Sequence, residues 1–187
     1  MTVTELALPG LRLVEPVVHG DARGFFVERY HVARYASAGI PEPGAAFVQD
    51  NHSRSRQGTL RGLHFQRRHP QGKLIEVLAG RVYDVVVDVR AGSPTFGRWL
   101  ALTLDAEQHR QLYVPPGYAH GFCVLSDTAD FLYKCTEVYR ADDEGGIRWD
   151  DPTLGIPWPL EAPLVSDKDA RLPRLRDLRP ADLPGAP

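Results

Sequence analysis

Seventeen glycines and sixteen prolines punctuate this chain of 187 residues, and they cut its apolar residues into runs too short for helices. Such runs occupy residues 73–78, 82–89, 99–104, 111–114, 120–125 and 131–139. They recur roughly every ten residues, the spacing of an all-β sandwich or barrel. Between them stand Gly92-Ser93-Pro94, Pro115-Pro116-Gly117 and Ser126-Asp127, residue types that make turns because of their φ preferences and side-chain capping. Residues 73–78 and 82–89 read as two strands joined at Gly80. In the second, Tyr83, Val85, Val87 and Val89 share one face, with Asp84, Val86 and Asp88 on the other. One helical stretch, residues 31–38, is stopped by Gly39 and Pro41. The expectation is an all-β domain with short peripheral helices.

Composition narrows the function classes. Lys and Arg number 22 against 24 Asp and Glu, a formal net charge of -2. A general nucleic-acid or membrane-surface binder would show a basic excess, so no nucleic acid and no membrane are expected as partners. The first residues, MTVTELALPG, lack the basic and apolar regions of a signal peptide. Cys123 and Cys135 are too few for a disulfide scaffold and read as buried thiols of a cytoplasmic protein. After Ala141 the regular pattern fades. Asp150-Asp151-Pro152 and Pro157-Trp158-Pro159 read as ordered loops, and residues 177–187 as a polar, proline-rich tail. With no repeat and no linker, residues 1–187 are expected to form one domain.

The stretch TLRGLHFQ, residues 59–66, places a single histidine in a strand. Small β-barrels of the cupin type gather metal ligands from two motifs: a glycine followed after five residues by His-x-His and then a glutamate, and a Pro-x-Gly-x-x-His. Gly58 precedes His64 by the first spacing, and residues 115–120 fit the second motif, so the chain resembles a cupin. The metal set is broken, however. Gln66 stands for the second histidine and Lys73 for the glutamate. An ammonium repels a divalent cation and offers no lone pair. No metal is expected. The same residues suit acid–base chemistry, with His64, Lys73, His120 and Arg61 in one pocket. Strict alternation sends Arg61 away from His64 unless Gly62 bends the strand. Along residues 131–139, alternation also joins Tyr133, Cys135, Glu137 and Tyr139 on one face, the two tyrosines about 20 Å apart. Spacing alone reads each as an ordinary core aromatic.

Seven fragments then occur in order: QDNHS at 49–53, LRGLHFQ at 60–66, QGKL at 71–74, SPTFG at 93–97, PPGYAHGF at 115–122, YKCTEVY at 133–139 and SDKD at 166–169. Together they resemble the dTDP-4-dehydrorhamnose 3,5-epimerase family from about Gly10 to Asp169. The resemblance implies a cupin-like jelly-roll barrel acting on a dTDP-4-keto-6-deoxyhexose without a cofactor. It makes His64 the base, Asp169 its partner, Lys73 the stabiliser of the enolate oxygen and Tyr133 the acid. It also implies substrate contacts at Arg23, Glu28, Gln49, Asn51, Arg61, His120, Glu144 and Lys168, with Tyr139 stacked on thymine. Read without the family, Arg23, Glu28 and Glu144 would be solvated surface charges. A homodimer with swapped N-terminal strands is implied as well, which would carry Arg23 and Glu28 to the partner's site. Two rival readings stand beside this one: an epimerase of a single centre, and a non-catalytic sugar-nucleotide binding module.

Overall fold

The computed structural model describes residues 1–184. Its strands are β1 (Thr2–Glu5), β2 (Arg12–Glu15), β3 (Val18–Asp21), β4 (Gly24–Val27), β5 (Gln49–Arg56), β6 (Leu60–Gln66), β7 (Lys73–Ala79), β8 (Arg81–Asp88), β9 (Trp99–Asp105), β10 (Gln111–Val114), β11 (Tyr118–Val124), β12 (Thr128–Cys135) and β13 (Glu144–Gly146). Two short helices accompany them, α1 (Val32–Ser37) and α2 (Asp167–Ala170). One sheet runs β1-β2-β10-β7-β12-β5 and the other β13-β6-β11-β8-β9. They face each other as the expected cupin-like jelly roll. The hairpin β3-β4 stands apart as a sheet of its own.

Three clusters of buried side chains hold this arrangement. Between the sheets, Ile75, Val77, Leu112, Val114 and Phe131 meet Val82, Val86, Leu104, Phe122 and Val124. The outer face of the second sheet presents Leu63, Phe65, Val85, Val87 and Val89, covered by Leu154, Leu175 and Leu183 from the C-terminal segment. The outer face of the first sheet presents Val14, Leu74 and Tyr113 beneath Tyr35 and Ile40. β8 is therefore buried on both faces, which is why it reads as an almost unbroken apolar run. The two faces inferred from its alternation are the two that the structure packs. α1 falls where expected, with His31 as N-cap accepting from the Arg34 N–H.

The structure differs from the sequence reading at three places. The strand expected over residues 131–139 ends at Cys135, where Thr136 exchanges hydrogen bonds with Gly72 and turns the chain. β5 has no apolar alternation, yet it is a full strand paired along β12. Alternate residues face a polar cavity or solvent, so neither face required apolar side chains. The segment read as a polar tail is partly core: Leu183 is buried and Leu178 packs beside it. Residues 185–187 lie outside the described residues.

One irregularity matters for function. In the β6–β11 ladder His64 pairs with His120, but Arg61 pairs with Phe122, so three steps on β6 oppose two on β11. This bulge reverses the parity of the strand and turns Arg61 to the same side as His64. Gly62 carries it at φ 119°, and a Cβ there would stand 2.6 Å from Gly121 Cα and 2.8 Å from the His120 carbonyl. Gly62→Ala should therefore cost about 1–3 kcal/mol of stability. It should also lower kcat by displacing His64 relative to Arg61, read from thermal unfolding and steady-state turnover; an unchanged kcat would mean that the bulge does not align the site.

Candidate active site

The apolar core fills only part of the barrel. Above Phe122 and Phe131 the two sheets enclose a cavity of about 890 Å³. β6 contributes Arg61 and His64, β11 His120, β7 Lys73, β12 Tyr133, and β5 Gln49 and Asn51. Tyr139, Glu144, Lys168 and Asp169 complete its wall and rim.

His64 is anchored by Asp169, whose Oδ1 lies 2.7 Å from Nε2. The other carboxylate oxygen accepts the Gly62 N–H at 3.2 Å. Ser166 caps α2 by accepting the Asp169 N–H, which sets that side chain in place. Burial alone would raise the Asp169 carboxyl, but the hydrogen bond and charge of His64, with the Gly62 N–H, hold it below the ordinary value. With Nε2 engaged, Nδ1 is the ring nitrogen left for a reacting group. This is the arrangement by which a carboxylate fixes the tautomer of a histidine base and stabilises the imidazolium it becomes.

Lys73 enters from the opposite sheet, its Nζ 5.9 Å from the centroid of the Tyr133 ring. Burial pushes its ammonium down from the usual lysine value, while Cys135, Asp84 and Glu144 work the other way. Burial pushes the Tyr133 phenol up, so it keeps its proton at neutral pH. His64 and Tyr133 thus come from opposing walls of one cavity, with the Lys73 amine beside them. Tyr139 does not continue β12 but returns at the rim, its N–H donating to Gln49 Oε1 at 2.8 Å. Its hydroxyl donates to Glu144, which also takes Lys168 Nζ at 2.9 and 3.0 Å. Glu144 is held below its ordinary value despite burial, chiefly by Lys168 and His64.

Nine of the eleven further site residues expected from sequence, apart from the His64–Asp169 pair, are thereby brought together: Lys73, Tyr133, Gln49, Asn51, Arg61, His120, Tyr139, Glu144 and Lys168 line the cavity. Arg23 and Glu28 are elsewhere in this chain. Arg23 pairs with Asp21 on the β3-β4 hairpin, and Glu28 accepts from Arg34 at 2.7 Å. Asp84, which the sequence reading did not place in the site, is fully buried 2.9 Å from His120 Nε2. A carboxylate inside the apolar run VYDVVVD was the available signal. The cupin metal positions do not suit a cation. The buried Gln66 amide is spent on the His69 and Val138 carbonyls and the Arg140 N–H, and Lys73 occupies the carboxylate position. Among the described residues no cluster of three or more His, Cys, Asp or Glu is placed to hold a metal, and no helix is long and apolar enough to cross a membrane.

Comparison with known proteins agrees with this geometry. The family model for dTDP-4-dehydrorhamnose 3,5-epimerase matches residues 5–177. A dTDP-4-dehydrorhamnose 3,5-epimerase of Pseudomonas aeruginosa is 53% identical over 171 residues, 90% of this chain and 93% of the relative. A dTDP-6-deoxy-D-glucose-3,5-epimerase of Legionella pneumophila, solved in complex with dTDP-4-keto-L-rhamnose, superposes with a TM-score of 0.93 at 47% identity, covering 98% of this chain and 97% of that one. A 3'-monoepimerase of Streptomyces bikiniensis in complex with dTDP-quinovose gives a TM-score of 0.88 at 38% identity, covering 96% and 91%. The match spans both sheets and the segment that carries Asp169, and on it the chain belongs to the dTDP-4-dehydrorhamnose 3,5-epimerase family.

Proposed function

We propose that this chain is an isomerase that inverts C3 and C5 of dTDP-4-dehydro-6-deoxy-D-glucose to give dTDP-4-dehydro-L-rhamnose. The observation that carries the reading is a histidine held by a carboxylate on one wall of the cavity, facing a protonated tyrosine and a lysine from the other. The hydrogens at C3 and C5 are both adjacent to the C4 ketone. His64 Nδ1 takes one of them, the C–H electron pair forms the enolate, and the carbonyl becomes an oxyanion. Lys73 supplies the positive charge where that oxygen develops, and a water-poor site strengthens the interaction. Tyr133 then gives its phenolic proton to the opposite face of the same carbon, leaving tyrosinate and imidazolium to be reset through solvent. The substrate carbonyl is the electron sink, so no cofactor enters.

Arg61, His120 and Lys168 supply cationic or hydrogen-bonding groups for the sugar and diphosphate, a planar guanidinium being matched to phosphate oxygens. Gln49, Asn51 and Glu144 provide the polar contacts, and Tyr139, half-exposed at the rim, stacks on thymine. A single-centre epimerase is the less favoured reading, because the relatives named as 3,5-epimerases are the more similar. A binding module would have no use for the His64–Asp169 pair opposite Tyr133.

The site is completed by a second copy of the chain. In β3-β4 and its flank, Val17, Val18, Phe25 and Phe26 are exposed, the last at 70%. Among the described residues the hairpin pairs with no other strand. A solvated apolar strand pair of that kind marks an interface. Seated on a partner, it brings Arg23 and Glu28 to the partner's cavity, the swapped-strand homodimer. The protein is a single domain. Cys123 and Cys135 are buried free thiols, as suits a cytoplasmic enzyme.

Four measurements test this reading. His64→Ala should abolish both epimerisation and solvent-deuterium entry at C3 and C5. Tyr133→Phe should allow deuterium entry with little inversion, since His64 can return the proton it took to the same face; inversion at the wild-type rate would assign the acid to another group. Chelator treatment should leave turnover unchanged, and loss of activity with release of one metal per chain would overturn the metal-independent mechanism. Mixing His64→Ala chains with Arg23→Ala chains should restore activity, because one site of the mixed dimer then escapes both lesions; failure to complement would place Arg23 in its own chain's site or outside it.

A further inference from the structure

Asp84 differs from the other buried carboxylates of the molecule. Asp88 accepts from Arg90, Ser93 and Thr95, Asp143 from Arg68 and His69, and Asp151 from Thr153 and the Leu175 N–H. Asp84 is as completely buried as any of them, yet among the described residues Oδ2 meets only His120 Nε2, at 2.9 Å, and Oδ1 has no hydrogen-bond partner. Leaving a buried carboxylate oxygen unpaired is destabilising. A residue kept for stability alone would be expected to find further donors, and an unsatisfied buried group calls for another explanation.

The ladders show where that charge is directed. Asp84 stands opposite Phe122, His120 is two residues along the same face of β11, and His120 stands opposite His64 on β6. Asp84, His120 and His64 therefore lie on three adjacent strands on the cavity side of one sheet. His64 and His120 each present Nε2 to a carboxylate, Asp169 and Asp84. The site holds two histidine–carboxylate pairs side by side, and the proton-abstraction mechanism uses only one.

We propose that Asp84 is a positioning residue for the enolate half of the site: it fixes His120 with Nε2–H toward itself and Nδ1 toward the cavity, and sets a buried negative charge on the side facing Lys73. The inference rests on the epimerase reading above. Around Lys73 the titratable and charged groups are Cys135 and Tyr133 on β12, Asp84 on β8 and Glu144 on β13. Burial drives Lys73 toward the neutral amine, and Asp84 is among the charges that oppose it. Asp169 thus serves the base, and Asp84 fixes the His120 ring and adds its charge near Lys73, the group proposed to meet the enolate oxygen. Removing the Asp84 charge leaves Lys73 easier to deprotonate, so activity is lost at lower pH as the solution is made alkaline.

The test is the pH dependence of kcat for the wild-type enzyme, Asp84→Asn and Asp88→Asn. Asp84→Asn keeps the shape and an oxygen for His120 but removes the charge. It should lower kcat about 10–100-fold, the loss typical of removing the partner that orients a functional imidazole. The alkaline limb should move to lower pH. Asp88→Asn removes a buried carboxylate that faces no site; it should lower the unfolding midpoint and leave the alkaline limb in place. An Asp84→Asn limb coincident with wild type, or an equal displacement in Asp88→Asn, would overturn the proposal. Nitrogen-15 NMR of the histidines in the unsubstituted protein decides the point even if Asp84→Asn does not fold: His120 protonated at Nε2 supports it, and His120 protonated only at Nδ1 overturns it. A wild-type protein that exchanges neither C3 nor C5 would instead remove the epimerase reading, a distinct outcome from either.

Discussion

One carboxylate ties the catalytic wall to the far end of the chain. Asp169 reaches His64 Nε2 with one oxygen and the Gly62 N–H with the other, across more than a hundred residues of sequence. The first contact orients the His64 imidazole, the base of the proposed mechanism, and the second holds the bulge that brings Arg61 to the same side as His64. The C-terminal segment that delivers Asp169 also covers the outer face of the same sheet through Leu154, Leu175 and Leu183. Base, bulge and sheet packing therefore stand or fall together. Breaking a buried charged hydrogen bond of this kind leaves a group that no solvent can reach, so the loss exceeds that of an exposed pair.

The barrel is divided between two demands. One part is filled with aliphatic and aromatic side chains and stabilises the fold by burial. The other is lined by titratable groups, which burial penalises. That penalty is useful at Tyr133, which it raises so that the phenol keeps its proton; at Lys73, where it favours the neutral amine, Cys135, Asp84 and Glu144 oppose it. Stacked Phe122 and Phe131, 4.1 Å apart, form the boundary, with the His120 ring beside Phe131. Chemistry that moves a proton from carbon needs such a place, where charges act through a low dielectric and water does not compete.

The rim is organised differently. Tyr139, Glu144 and Lys168 are linked to one another at the mouth of the cavity, where solvent screens them. In the proposed function these groups recognise a charged ligand, and they sit on the short β13, on α2 and on the turn after β12. Loops and short elements suit that role because their positions can adapt without disturbing the sheets.

What the sequence determined by itself was local. Glycine and proline spacing allowed only short strands, alternation in residues 82–89 sorted two faces correctly, and Gly39 with Pro41 ended the one early helix. The motifs around His64, Lys73, Tyr133 and Asp169 named the chemistry through their resemblance to a family. Tertiary structure decided the rest. β5 was missed because a strand facing a polar cavity has no hydrophobic contrast to read. Tyr139 was misplaced because the turn at Thr136 depends on Gly72, distant in sequence. Arg61 joined His64 only through a bulge that needs Gly121 on the neighbouring strand. Asp84 could be assigned a face but not a partner. Alternation tells which way a side chain points from its own strand, whereas register and strand order tell what it meets, and those are set by contacts between residues far apart in the chain.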